Sequence, residues 1–157
     1  MKNNFTSKEL SMFRKVAALC FFTLKTSLLV GATLPVNNAT PNAAGGLVVQ
    51  ATAAAPNDTL EFVFGAATTT NLTGVPLTIT QAGLTLYNGS AGTVTIAPVT
   101  GGLFTVNGTG FFLGNANTDP ALVIQTPIAL GVVTNAATLK MNSSSVSLSG
   151  ALSVGNG

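Results

Sequence analysis

The stretch Val75-Pro-Leu-Thr-Ile-Thr-Gln-Ala-Gly-Leu-Thr-Leu-Tyr-Asn-Gly-Ser-Ala-Gly-Thr-Val-Thr-Ile96 decides the fold class. Aliphatic residues alternate with threonine, so that Leu77 and Ile79 fall on one face and Thr78 and Thr80 on the other. That period of two is the signature of a half-buried strand. Gly, Asn-Gly or Pro closes each short run. Asn88-Gly89 and Asn107-Gly108 tolerate the positive φ of a tight corner, so the chain is expected to bend there.

Working outward, the pattern continues through Leu103-Phe-Thr-Val-Asn-Gly and Phe111-Phe-Leu-Gly. Candidate strands are Leu60–Phe64, Val75–Thr80, Gly83–Tyr87, Thr93–Ala97, Leu103–Asn107, Gly110–Leu113, Leu122–Gln125, Ile128–Val133, Ala137–Met141, Ser145–Ser149 and Ala151–Val154. Many short strands at such close spacing predict an all-β fold: a sandwich, a barrel or a β-solenoid. Three features favour the solenoid, with a β-sandwich as the alternative. The connections are only a few residues long, unlike those of a Greek key. Thr138-Leu-Lys-Met-Asn, Ser145-Val-Ser-Leu-Ser and Ala151-Leu-Ser-Val resemble rungs whose aliphatic residues stack inward coil upon coil. The pattern also still runs at Gly157, and a solenoid, unlike a sandwich, needs no closing strand there.

The 157 residues suffice for one domain, and 46% hydrophobic residues supply its core. Charge is the unusual quantity: 6% of residues are charged, against roughly 25% in an ordinary domain. Five of the six basic residues (Lys2, Lys8, Arg14, Lys15, Lys25) precede position 26. Past that point Lys140 faces Asp58, Glu61 and Asp119, a balance of −2 that offers phosphate backbones nothing to hold, which argues against nucleic acid as a partner. Cys20 is the single cysteine, so disulfides cannot staple the fold.

Residues 1–32 read as an export leader. A polar, basic start in which Thr6-Ser-Lys-Glu9 has capping-box spacing precedes the apolar runs Val16–Leu24 and Leu28–Leu34. A cut between Ala32 and Thr33, with Val30 at the third position before it, suits the small-residue rule of signal cleavage. Lys25 interrupts the apolar stretch, which keeps an uncleaved anchor and an unexported helix open as alternatives. The uninterrupted run is well short of the ~20 residues a spanning helix needs. Leu19 stands where a lipoprotein signal wants a small residue, so Cys20 reads as filler. Residues 33–58, rich in Ala, Asn, Pro and Gly, read as a linker with one short strand at Leu47–Gln50; Pro35, Pro41 and Pro56 exclude a continuous helix. Residues 59–157 then form the solenoid.

The runs Leu77-Thr-Ile-Thr-Gln, Leu103-Phe-Thr-Val-Asn-Gly-Thr-Gly, Pro120-Ala-Leu-Val-Ile-Gln and Leu148-Ser-Gly-Ala-Leu-Ser-Val-Gly-Asn-Gly resemble the amino-terminal passenger of the rickettsial surface cell antigens, autotransporters of the outer-membrane-protein A and B type. The resemblance spans roughly residues 60 to 157. It implies a right-handed parallel β-helix, exported through the inner membrane by its leader and through the outer membrane by a carboxy-terminal barrel. Adhesion to host cells through a surface receptor is the family activity it implies. The family pattern places a barrel after the passenger, so the chain is expected to be an incomplete passenger, at the cell surface if a barrel follows and periplasmic or secreted if not. Open solenoid ends make self-association the alternative role.

No catalytic, cofactor or metal site is expected. The sequence has no histidine, the commonest general base and metal ligand. Ser143-Ser-Ser145 has only Lys140 nearby and reads as a surface turn. Asp58, Glu61 and Asp119 are the acids a polysaccharide-active β-helix would use, and a surface role is favoured over a carboxylate pair at catalytic spacing. Calcium nonapeptides and phosphate loops are absent from the sequence. The Asn-x-Ser/Thr triplets at Asn57, Asn71, Asn88, Asn107 and Asn142 follow from composition. Tyr87 with Phe111-Phe112 is a candidate exposed patch; burial of Phe62, Phe64, Phe104, Phe111 and Phe112 within the coils is favoured.

Overall fold

The computed structural model describes residues 31–72, 74–97, 104–131 and 137–154. They form a parallel β-solenoid of thirteen short strands and one short helix. The strands are β1 (Thr33–Val36), β2 (Thr59–Phe62), β3 (Thr68–Asn71), β4 (Leu77–Ile79), β5 (Thr85–Asn88), β6 (Val94–Ala97), β7 (Phe104–Val106), β8 (Phe111–Leu113), β9 (Leu122–Ile124), β10 (Ile128–Leu130), β11 (Leu139–Met141), β12 (Val146–Leu148) and β13 (Leu152–Val154). The helix, α1, spans Leu47–Ala53.

Every third strand pairs. The first sheet runs β1-β2-β5-β8-β11, the second β3-β6-β9-β12 and the third β4-β7-β10-β13, so β2 to β13 wind through four coils of three strands. All the pairings are parallel, which excludes the alternative sandwich built from antiparallel neighbours. The coil is not of constant length: Ile128 pairs with Leu152, 24 positions on, and Phe112 with Lys140, 28 positions on. That variation hides the period in the sequence.

Each of the eleven candidate strands has a counterpart: most are shorter than expected, β2 begins one residue earlier at Thr59, β5 ends one residue later at Asn88, and Leu103, Val132 and Val133 lie outside the described residues. The alternation works as expected. Leu34, Leu60, Leu86, Leu113 and Met141 stand in register on the first sheet. Leu77, Phe104, Ile128 and Leu152 do so on the third. The middle members of these columns are buried completely or nearly so, and each large apolar side chain withdrawn from water contributes about 1.5–3 kcal/mol. In a further inward column Asn88 replaces the Phe62 below it. Its Nδ2 donates to the Gly92 and Ala121 carbonyls at 2.8 Å, and its Oδ1 accepts from the Ser90 amide. Thus a buried polar group is kept without loss of hydrogen bonds.

Two expectations about the corners and the leader-side segment change. Asn88-Gly89 and Asn107-Gly108 bend without positive φ. Left-handed residues occur elsewhere, among them Asn57, Gly83 and Gly110, with φ of 67°, 70° and 69°. Each lies two positions ahead of an in-register residue of the first sheet (Thr59, Thr85, Phe112). One recurrent corner therefore demands Gly or Asn in successive coils.

Residues 33–58, read as a linker, carry β1 and α1, and the strand expected at Leu47–Gln50 is the start of the helix. Isolated helices this short are unstable, and Val48-Val49 is β-branched. Packing imposes the helix: Leu47 and Ala51 are buried, and α1 lies against β4, β1 and β2. Gln81 Nε2 donates to the Ala51 and Ala54 carbonyls at 3.0 and 3.1 Å, satisfying its C-terminal end. Pro41 and Pro56 bracket α1, so the excluded continuous helix is indeed not formed. The strand β3, Thr-Thr-Thr-Asn, has no counterpart among the sequence candidates.

Candidate functional site

The outer face of the first sheet carries Glu61, Tyr87, Phe112 and Lys140. A strand turns alternate residues out, so burial of Leu60, Phe62 and Leu86 turns out Thr59, Glu61, Thr85 and Tyr87. Glu61 and Tyr87 are paired in register. In the next two coils Phe112 pairs with Lys140, whose Nζ lies 5.4 Å from the ring centroid. That cation–π contact is worth about 0.5–1 kcal/mol at an exposed site.

Adjacent residues in a strand face opposite ways, and this divides the predicted aromatic set. Phe62, Phe104 and Phe111 are fully buried, whereas Phe64 and Phe112 are half-buried. Phe112 is thereby corrected from core to outer face. Phe111 meets Phe104 edge to face inside the coils, with centroids 5.9 Å apart. The outer face thus presents Tyr87 and Phe112, flanked by Glu61 and Lys140.

The carboxylates also separate. Asp58 points inward, 6% exposed, and accepts hydrogen bonds from the Ala32 and Ala55 amides at 2.7 Å. Asp119 accepts from the Asn115 and Ala116 amides at 2.7 and 2.8 Å, fixing the loop that follows β8. Glu61 and Asp119 both act on Tyr87. Its hydroxyl is pushed up to about 12 from 10.0, by burial first, then by its hydrogen bond to Glu61 and the charges of Glu61 and Asp119.

Tyr87 is the single tyrosine of the chain, so tyrosinate absorbance reads it alone. Its folded value lies above the unfolded one; the stability it contributes is whole below pH 10.0 and is lost as pH rises toward about 12. The native chain is expected to titrate near 12 and the denatured chain near 10.0, with Glu61→Gln lowering the native midpoint. Equal midpoints in the native and denatured chains would show that Tyr87 is neither buried nor held by Glu61 in solution, and an unchanged native midpoint in Glu61→Gln would show that the Glu61–Tyr87 contact does not form.

The remaining candidates fall elsewhere. Ser143 Oγ and Ser145 Oγ are hydrogen-bonded at 2.6 Å, and the Ser144 amide donates to Asn117 Oδ1. Lys140 is turned to Phe112. Ala32 and Thr33 lie in the first rung: the Ala32 carbonyl accepts from the Thr59 amide at 2.8 Å, and Thr33 begins β1. Residues 1–30, Cys20 among them, lie outside the described residues. A cavity of about 300 Å³ lies between the loop before α1 and the end of β3, lined by Ala39, Thr40, Pro41, Asn42, Asn71 and Val75, without a titratable group. Among the described residues, no three His, Cys, Asp or Glu side chains converge as metal ligands, and no helix is long and apolar enough to cross a membrane. The chain matches no family model, no curated protein and no solved structure.

Proposed function

We propose that the chain is a non-enzymatic exported surface protein, a passenger segment of an autotransporter whose role is adhesion to host cells. The observation that carries this reading is the parallel solenoid itself. Its interior is filled by stacked aliphatic columns, and its outside is solvated by Thr, Ser and Asn in place of charge. Such a surface is suited to display. A right-handed coil belongs to the same reading, since parallel crossovers adopt that hand almost without exception. The Tyr87–Phe112 face is the part best fitted to a receptor, because aromatic side chains give contact area at low entropic cost.

Expression with the native leader in a Gram-negative host tests the reading. The expected result is a product outside the inner membrane that external protease digests once the outer membrane is permeabilised, or directly if a barrel is supplied downstream. Recovery of the intact chain, leader included, from cytosol alone would overturn it. A second reading, a cell-envelope protein that works by self-association, is favoured by one observation: Met141, Leu152 and Val154 are large apolar residues exposed together on the last coil.

A further inference from the structure

We propose that the cavity between the loop before α1 and the end of β3 binds a single neutral sugar ring, at a site separate from the Tyr87–Phe112 face. Its volume of about 300 Å³ is that of the smaller small-molecule clefts, which run from roughly 300 to 1,000 Å³. The lining is of two kinds. Thr40, Asn42 and Asn71 bring a hydroxyl and two carboxamides, while Ala39, Pro41 and Val75 bring aliphatic surface. The three polar residues are exposed, and their side chains are hydrogen-bonded to no other described residue. Hydrogen-bonding capacity at this cavity is therefore not taken up in holding the fold.

The walls are set before a ligand arrives. The buried Thr70 hydroxyl donates to the Ala39 carbonyl at 2.9 Å, tying β3 to the loop across 31 positions. Asn38 Oδ1 accepts from the Thr40 amide at 3.0 Å, the Thr40 carbonyl from the Ala43 amide at 3.1 Å, and the Pro41 carbonyl from the Val48 amide of α1 at 3.0 Å. On the other wall Asn71 stands in register with Ala97 at the end of the β3 ladder, and the Val75 amide donates to the Leu72 carbonyl at 3.0 Å. A cleft formed in advance loses little entropy to loop ordering on binding. The chemistry of the lining then selects the ligand. A carboxamide and a hydroxyl each donate and accept, as the neighbouring hydroxyls of a sugar do, whereas a carboxylate only accepts and an ammonium only donates. Among the described residues no titratable or aromatic group lines the cavity. An ion would leave water there without a counter-charge, and a nucleobase would find no ring to stack on. Pro41 and Val75 match the C–H face of a pyranose.

Amide NMR spectra of the isotope-labelled full chain test the site. The chain is titrated to about 10 mM with glucose, galactose, mannose and N-acetylglucosamine, each free and as its methyl glycoside, beside N-acetylneuraminate and inorganic phosphate as charged comparisons. At least one neutral sugar is expected to shift the Asn42, Asn71 and Val75 signals saturably, with a Kd on the order of 1 mM, as suits one small ring, and without dependence on salt. Asn42→Ala and Asn71→Ala replace exposed side chains. Each is expected to keep the spectral dispersion of the wild type and to weaken binding about 5- to 10-fold, the loss of one or two hydrogen bonds. A sugar bound better in its free form assigns the cleft to a soluble monosaccharide, and one bound as well or better as the glycoside assigns it to the end of a glycan; both support the site. No saturable shift with any of the neutral sugars, shifts centred on Tyr87 and Phe112, stronger binding of either anion, or affinity kept in both variants would overturn it. None of these outcomes bears on export, which the protease experiment reads separately.

Discussion

Phe104→Ala is expected to destabilise the solenoid by about 3–5 kcal/mol, the cost of a large buried aromatic and of the cavity it leaves. The ring is fully buried and sits in the column Leu77, Phe104, Ile128. It also meets Phe111 edge to face across the coil interior, linking the third sheet to the first. Ladders fix the backbone on both sides of β7, so the neighbours have little freedom to collapse into the void. Since whole domains are stable by only about 5–15 kcal/mol, the loss is a large share.

The measurement is native-state hydrogen exchange, because coiled arrays do not always unfold as one unit. Leu152→Ala is the control: it occupies the same column but is half exposed, and its cost is expected to stay within about 0.5 kcal/mol. Comparable losses in the two variants would show that depth in the stack does not set the cost.

Asp58→Ala is expected to cost about 2–4 kcal/mol, since the amides of Ala32 and Ala55 lose together the charged acceptor they share. Asp58 joins the first strand to the turn that leaves α1, and its own carbonyl accepts from the Thr85 amide of the next coil at 3.0 Å. One side chain thereby closes the beginning of the stack. Asp58→Asn keeps a single acceptor oxygen and sets an amide group against the second donor, so an intermediate loss is expected. Faster exchange of the Ala32 and Ala55 amides is the direct readout. Unchanged exchange in the alanine variant would show that the carboxylate does not hold this end closed.

Much of the fold was legible in the chain because strands advertise themselves when one face is buried. Every run from Leu60 onward that alternates aliphatic with polar residues became a strand. The missed elements lack that signal for physical reasons. Thr68-Thr-Thr-Asn71 has no aliphatic residue, yet Thr70 is buried, and its hydroxyl is satisfied by the Ala39 carbonyl at 2.9 Å. What keeps β3 extended is its ladder to β6, a neighbour 26 positions away along the chain (Thr68 to Val94). The helix α1 was missed because the β-branched pair Val48-Val49 favours a strand; it is helical because Leu47 and Ala51 roof the core. The outward turn of Phe112 was readable, since Phe111 and Phe112 cannot both face inward in one strand. Which of the two does so was settled by register against Leu86 and Leu113.

The sequence by itself determined the all-β class, the strand positions, the aliphatic interior and the scarcity of charge, because alternation, corner residues and composition are local properties of the chain. The tertiary structure decided that every third strand pairs in parallel, that Asp58 is a buried tie while Glu61 and Asp119 act on Tyr87, and that α1 roofs one end of the core. Those outcomes depend on neighbours 24 to 28 positions apart, and at that distance pairing is set by the summed packing of whole coils, which no local pattern encodes.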